Sequence, residues 1–113
     1  MIIYIAGPMT GCEELNRPMF NDAEKLITEM GHTALNPALL PTTLTAWAYM
    51  PICLAMLDAA DAICLLPGWA DSKGASIELS YAQYQGKAVY AIISAEDGRQ
   101  AFVSVDDGVM VEI

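Results

Sequence analysis

A single glutamate, Glu78, is surrounded by small side chains at the spacings that share one helix face. Its neighbours three and four residues away are Gly74, Ala75, Tyr81 and Ala82, so three of the four are Gly or Ala. A carboxylate that a substrate must approach needs such open surroundings, whereas a solvated glutamate does not. Glu78 is therefore the first candidate for chemistry, and a surface or capping glutamate is the alternative that the same spacing allows.

Two glycine-containing loops could place ligand-binding groups near this glutamate. Residues 7–17 and residues 67–73 each follow a predicted strand and end where a predicted helix begins. Free N–H groups and the helix dipole favour anions at such points. Two of the five basic residues, Arg17 and Lys73, fall in these loops, and ordinary surface cations are the alternative. Ser72 is expected to cap the next helix, where its hydroxyl could also reach a phosphate.

Further polar and aromatic residues are candidates for the same region. Asp71 belongs to the second loop, whereas Asp61 begins a predicted strand and is expected to be structural. Trp69 and Trp47 offer flat surfaces on which a ring could stack, and packing in the core or an interface is the alternative for Trp47. Tyr4 lies in the first predicted strand, with its hydroxyl either near the site or at the sheet surface.

The elements that must position these residues alternate between strand and helix. We predict strands at MIIYIA, HTALNP, AICLLP and KAVYAIIS, helices over 18–30, 51–61 and 74–86, and a terminal hairpin around Asp106–Gly108. The residues between Pro41 and Pro51 are a loop or a first helical turn. This order predicts a single α/β domain over 1–113, with an open, doubly wound, mainly parallel sheet (flavodoxin- or Rossmann-like) of four to five strands plus the C-terminal hairpin. Ligands of such sheets bind beyond the carboxyl ends of the strands.

Composition narrows the class of partner. The net charge is −9, from 14 acidic and five basic residues, which disfavours nucleic acid as a partner. Three cysteines without a CxxC pair and one histidine predict reduced thiols, no metal site and no cofactor. Asp58 and Asp61 interrupt the apolar stretch 46–66, so we expect a helix and a strand rather than a membrane span, in a cytoplasmic protein. Because 55% of the residues are apolar, we also expect a homodimer or a larger homo-oligomer.

Three motifs together resemble the nucleoside 2-deoxyribosyltransferase-like superfamily. They are IYIAGPMTG, LPGW and SKGASIELSYAQYQGK, and the similarity covers about residues 2–89. Within the superfamily the chain is most similar to a short bacterial and phage group of unknown function. That group has an AGPMTG opening, an Asn-Pro pair after the second strand, here Asn36-Pro37, and an LPGW-x-x-S-x-G-A-x-x-E segment, here 66–78.

The resemblance implies a chemistry and a set of site residues. Glu78 would attack the anomeric carbon of a nucleoside or nucleotide, expel the base and form a glycosyl ester, which water or a second base then resolves. The resemblance places Tyr4 beside this nucleophile, and the catalytic candidates are therefore Glu78, Tyr4 and Asp71. The candidates for binding a deoxynucleoside 5'-monophosphate are Gly7, Pro8, Met9, Arg17, Trp69, Ser72 and Gly74.

One residue departs from the family pattern. Cys53 occupies the position at which the enzymes carry a sugar-orienting aspartate. Either Asp71 or Asp58 takes over that role, or the substrate differs, or catalysis has been lost. The sequence therefore leaves an N-glycosidase or deoxyribosyltransferase, a nucleotide-binding or sensor module without activity, such as a phage accessory protein, and a small oligomeric scaffold as competing functions.

Overall fold

The computed structural model describes residues 1–94, 96–105 and 111–112, the last pair by backbone only. The elements are β1 (Ile2–Ala6), α1 (Arg17–Glu29), β2 (Thr33–Leu35), α2 (Ala46–Ala59), β3 (Ala62–Leu65), α3 (Lys73–Tyr84), β4 (Ala88–Ser94), β5 (Gln100–Ser104) and β6 (Val111–Glu112). The strand–helix alternation expected from the sequence is confirmed from β1 to β4, after which β5 and β6 follow without a helix.

The strands in the described ranges form one sheet in the order β2-β1-β3-β4-β5-β6. β1 pairs in parallel with β2 and β3, and β3 pairs in parallel with β4. β5 runs antiparallel to β4, and β6 antiparallel to β5. The prediction of a mainly parallel, doubly wound α/β sheet with an antiparallel C-terminal end is confirmed. The turn predicted at Asp106–Gly108 lies outside the described residues.

The two faces of the sheet are covered by different helices, which explains the unbroken apolar runs in the strands. Ile3 and Ile5 of β1 lie on the α1 face, in a cluster with Phe20. Tyr4 and Ala6 lie on the opposite face, with residues of α2 and α3. A strand covered on both sides has no outward face and therefore shows no polar alternation.

Helix α2 begins at Ala46, five residues before Pro51, so the segment left open by the sequence is a loop up to Thr45 and helical from Ala46. Pro51 lies inside the helix, where it cannot donate the bond to the carbonyl four residues earlier. β3 follows at Ala62, so the apolar stretch 46–66 is a helix and a strand, as expected. Within the described ranges, every helix is too short or too polar to cross a bilayer.

Candidate functional site

The candidate site lies where the carboxyl ends of β1 and β3 meet. From β1 the chain passes to β2 on one side through α1, and from β3 it passes to β4 on the other side through α3. This reversal is the point at which open α/β sheets bind ligands. The loops that follow β1 and β3 are joined there, since the Leu66 amide donates to the Ala6 carbonyl over 2.8 Å.

Two glycines allow these loops to touch. A Cβ on Gly7 would lie 2.8 Å from the Leu66 Cβ, which is too close for any larger residue without movement. Gly68 has a φ of +85°, and a Cβ there would lie 3.4 Å from the Pro8 side chain. Gly7 therefore has a packing reason in the structure, and its close approach to a ligand remains a prediction.

Glu78 and Tyr4 form a buried hydrogen-bonded pair at this point. The Tyr4 hydroxyl donates to Glu78 Oε2 over 2.5 Å, joining α3 to β1. Tyr4 is 1% exposed and Glu78 is 6% exposed. Burial raises the pKa of Glu78 to about 7, and the hydrogen bond from Tyr4 opposes that rise. The alternative of a surface or capping glutamate is wrong, since Glu78 is enclosed and lies in the second turn of α3.

Helix α2 closes the other side of this pair. Cys53 is buried in the same cluster as Tyr4, and Met50 places its terminal methyl 3.5 Å from where a Gly74 Cβ would lie. Burial raises the pKa of the Cys53 thiol, hydrogen bonding with Tyr4 and then Tyr49 opposes the rise, and the Glu78 charge adds to it. Burial also raises the pKa values of the Tyr4 and Tyr49 hydroxyls. Near neutral pH the Cys53 thiol and both hydroxyls are therefore uncharged, and Glu78 is the group among them that ionises.

Tyr49 is a further residue of the site, and it was not predicted from the sequence. Its hydroxyl lies 2.9 Å from Met9 Sδ and 3.1 Å from the Pro37 carbonyl oxygen. Burial raises the pKa of Tyr49, Cys53 and Glu78 add to the rise, and Arg17 opposes it. The available signal was its position one helical turn before Cys53, on the same face of α2. This signal is visible only if the predicted helix begins before Pro51, as α2 does.

Arg17 begins α1 and lines an open cleft of about 410 Å³, whose other lining residues are Glu14, Leu15, Pro18, Asn21 and Thr42. Its buried Nε has no hydrogen-bond partner among the residues that the structure describes. The turn before it is left-handed, with φ between 52° and 60° at Glu14, Leu15 and Asn16. Asn16 ties this turn back to the first loop by donating to the Pro8 carbonyl over 2.9 Å. Glu78 does not line the cleft.

The second loop brings the remaining binding candidates to the same edge. Ser72 caps α3, its Oγ accepting from the Ala75 amide over 3.2 Å, as expected. Trp69 is half-buried and packs against the cluster that contains Tyr4 and Cys53. Asp71 is exposed in the turn Trp69–Asp71.

Three other residues fall outside the site. Trp47 is 81% exposed, so the alternative of core packing is wrong. Asp61 receives a hydrogen bond from the Ile2 amide over 2.7 Å at the amino edge of the sheet, in keeping with a structural role. Asp58 lies near the end of α2, towards the same edge, and accepts from Tyr81 over 2.7 Å. The possibility that Asp58 replaces the carboxylate missing at Cys53 is therefore wrong.

The described residues contain no group of three or more His, Cys, Asp or Glu side chains placed to hold a metal ion. The arrangement instead offers one buried carboxyl that accepts from a phenol, an arginine that lines an open cleft and whose buried Nε has no partner among the described residues, and two loops that lead into helix N-termini. These are groups for attack by a carboxylate and for binding an anion.

Comparison with known proteins places the chain in a fold class. Two solved structures share its fold at 23% identity. The "2-desoxiribosyltransferase from Leishmania mexicana" matches over 83% of this chain and 65% of its own length, with a TM-score of 0.66. The 2-deoxyribosyltransferase from Bacillus psychrosaccharolyticus matches over 80% of this chain and 71% of its own, with a TM-score of 0.61. The chain thus spans just under two thirds of the Leishmania enzyme.

Residues 1–91 match the family model described as "Domain of unknown function (DUF4406)", and the chain belongs to that family. No curated protein matches the sequence. The fold is therefore that of the 2-deoxyribosyltransferases, while the family description assigns no activity.

Proposed function

We propose that the protein cleaves or transfers the N-glycosidic bond of a 2-deoxynucleoside 5'-monophosphate, with Glu78 as the nucleophile. The observation that carries the proposal is the buried Tyr4–Glu78 hydrogen bond at the carboxyl edge of the sheet, where the chain leaves β1 and β3 towards opposite sides. A carboxyl with a pKa of about 7 is ionised in part at neutral pH and remains basic enough to attack an electrophilic carbon. The shared fold with two deoxyribosyltransferases supports the same chemistry.

In the proposed reaction the Tyr4 hydroxyl holds Glu78 Oε2, so that Oε1 attacks the anomeric carbon. The C–N bond breaks, its electron pair leaves with the base, and the base takes a proton from solvent. A glycosyl ester on Glu78 results. Water, or a second base, then attacks the same carbon and releases the carboxylate, which completes hydrolysis or transfer.

Recognition of the sugar and phosphate follows from the groups around the pair. The Arg17 guanidinium, whose Nε lacks a partner within the described residues, would hold the phosphate together with Ser72 and the N-terminus of α3. Because the chain carries a charge of −9, a phosphate needs such local positive groups. Asp71 remains as the carboxylate that could orient the sugar. Gly7, Pro8, Met9, Trp69 and Gly74 would form the walls.

We also infer that the protein acts as a homodimer or larger homo-oligomer. The exposed side of α2 carries Trp47, Pro51, Ile52 and Ala55, with Asp58 as its charged residue. A helix that is apolar on all sides is usually buried on all sides. A second copy of the chain is the occupant that suits this face, because two strongly acidic molecules meet most favourably where charge is sparse.

A second candidate, nucleotide binding without turnover, is favoured by two observations. Cys53 cannot accept a hydrogen bond from a sugar hydroxyl as a carboxylate would, and Glu78 is covered by its neighbours. In that case nucleotides would raise the melting temperature of the protein without releasing base.

The decisive experiment incubates the protein with deoxynucleosides and their 5'-monophosphates and measures free base by chromatography. Monophosphates should release base faster than nucleosides. Glu78→Gln should abolish release, Arg17→Ala should remove the preference for the monophosphate, and Glu29→Gln, at the exposed end of α1, should behave as wild type. Stabilisation by nucleotides without base release would support the binding module, and release that persists in Glu78→Gln would contradict the nucleophile.

A further inference from the structure

Tyr49 joins three segments that surround the candidate site. It projects from α2, and its hydroxyl contacts both the Pro37 carbonyl oxygen and the Met9 sulfur. The hydroxyl is the donor in both contacts, over 2.9 Å to Met9 Sδ and 3.1 Å to the Pro37 oxygen, so its one proton is shared between a thioether and a carbonyl. Tyr49 therefore links α2 to both Met9 and Pro37 by hydrogen bonds.

The Pro37 end of this contact is rigid. Pro37 is buried and begins the short turn Pro37–Leu39. The preceding Asn36 accepts from the Ala38 amide over 2.9 Å and donates to Asn21 of α1 over 3.0 Å. The Pro37 carbonyl that accepts the Tyr49 hydrogen bond is thus held by contacts of the residues on both sides of it.

The Met9 end belongs to the loop that follows β1. Met9 is half-buried, and its carbonyl accepts from the Cys12 amide over 3.1 Å. The loop is also tied by Asn16 to Pro8, and beyond it lies the left-handed turn that leads to Arg17. The Tyr49 contact links this loop to α2.

The same helix covers Glu78. Cys53 and Met50 follow Tyr49 on the inner side of α2, one in the cluster with Tyr4 and the other over Gly74. Glu78 is 6% exposed and does not line the neighbouring cleft of Arg17. The carboxyl of Glu78 and the cleft of Arg17 are therefore separate in this structure.

We propose that Tyr49 is a positioning residue that latches the loop of Met9 to α2 and Pro37, and so keeps Glu78 covered until a ligand separates them. The purpose of the latch rests on the proposed function, because a nucleophile that is covered without substrate is protected from water and from other reactants. The latch itself can be tested in ligand-free protein.

Opening the latch should change the state of Glu78. The groups that face the carboxyl are Tyr4 on β1 and the Cys53 and Tyr49 side chains on α2, with Arg17 beyond Tyr49. Removing the Tyr49 hydroxyl releases the loop of Met9 from α2, and water then gains access to the carboxylate. Better solvation of the charged form lowers the pH at which Glu78 titrates.

The test replaces Tyr49→Phe, which keeps the ring and removes the hydroxyl. Oxidation of Met9 by hydrogen peroxide, followed by peptide mass spectrometry, should become about 2- to 10-fold faster, as expected for the loss of one neutral hydrogen bond. The Glu78 carboxyl carbon, followed by NMR, should titrate at lower pH than in wild type. Tyr84→Phe, on a side chain that is 83% exposed, is the matched control and should change neither result.

A second variant covers the case in which Tyr49→Phe does not fold. Met9→Leu nearly keeps the shape of the side chain and removes the sulfur from the contact. It should lower the pH at which Glu78 titrates, as Tyr49→Phe does. Wild-type values in the folded variants would overturn the latch, even if base release depends on Glu78. Conversely, faster Met9 oxidation and a lower titration pH of Glu78, without any base release, would support the latch and count against the proposed function.

Discussion

The hydrogen bond from Tyr4 makes the pH dependence of the reaction predictable. Tyr4→Phe removes a donor to a buried carboxylate, an interaction worth about 1.5–3 kcal/mol when one partner is charged. Since one pKa unit corresponds to about 1.4 kcal/mol, the pKa of Glu78 should rise from about 7 by roughly 1 to 2. At pH 7 the ionised fraction then falls from about one half to between about 9% and 1%.

The expected loss of kcat/KM at pH 7 is therefore about 5- to 50-fold, with most of the activity returning above pH 9. The assay measures kcat/KM for base release from the preferred monophosphate between pH 5 and 10. Tyr84→Phe should retain the wild-type profile, since its ring is exposed. If the acid limb of Tyr4→Phe stays at the wild-type pH, or moves to lower pH, then Tyr4 does not stabilise the Glu78 carboxylate and the reasoning fails.

Three more predictions concern stability and assembly. Because the pKa of Glu78 rises from 4.5 to about 7 on folding, ionisation of its buried carboxyl lowers the stability of the folded protein as the pH increases between these values. Glu78→Gln should therefore raise the free energy of unfolding in urea by on the order of 3 kcal/mol at pH 8 and change it little at pH 4. An equal effect at both pH values would contradict this. Gly7→Ala should destabilise by about 1–3 kcal/mol because its Cβ meets the Leu66 Cβ, and combining it with Leu66→Gly, which removes that atom, should cost less than the sum of the single changes; strict additivity would rule out the contact. Trp47→Asp should shift the sedimentation coefficient towards the monomer, whereas an unchanged assembly would exclude this face of α2.

The sheet could be predicted from the sequence because its signals are local. The unbroken apolar run of β1, covered by helices on both faces, and the glycines at the ends of α1 and α3 mark element type and boundary without knowledge of distant residues. Ser72 was predictable as a cap for the same reason, since an N-cap is decided by residues within one turn.

The site could be predicted only in part, because its contacts are between residues far apart in sequence. Tyr4 and Glu78 are 74 positions apart, and their hydrogen bond depends on how β1 and α3 are placed. Tyr49 was missed because Pro51 suggested a helix start five residues too late, which removed the face that Tyr49 shares with Cys53. Likewise, Gly7 was predicted to allow a ligand to approach the backbone. The residue that requires its small size is Leu66, which follows the adjacent strand β3 and is distant in sequence.

Capture of the covalent intermediate would show directly whether Glu78 is the nucleophile. The protein is mixed with a deoxynucleoside 5'-monophosphate, quenched in acid within the first turnover, digested and analysed by mass spectrometry. If Glu78 is the nucleophile, a deoxyribosyl phosphate will be attached to the peptide that contains Glu78, and no such adduct will form in Glu78→Gln. Base release at the wild-type rate with the sugar on another residue, or an adduct that persists in Glu78→Gln, would contradict it.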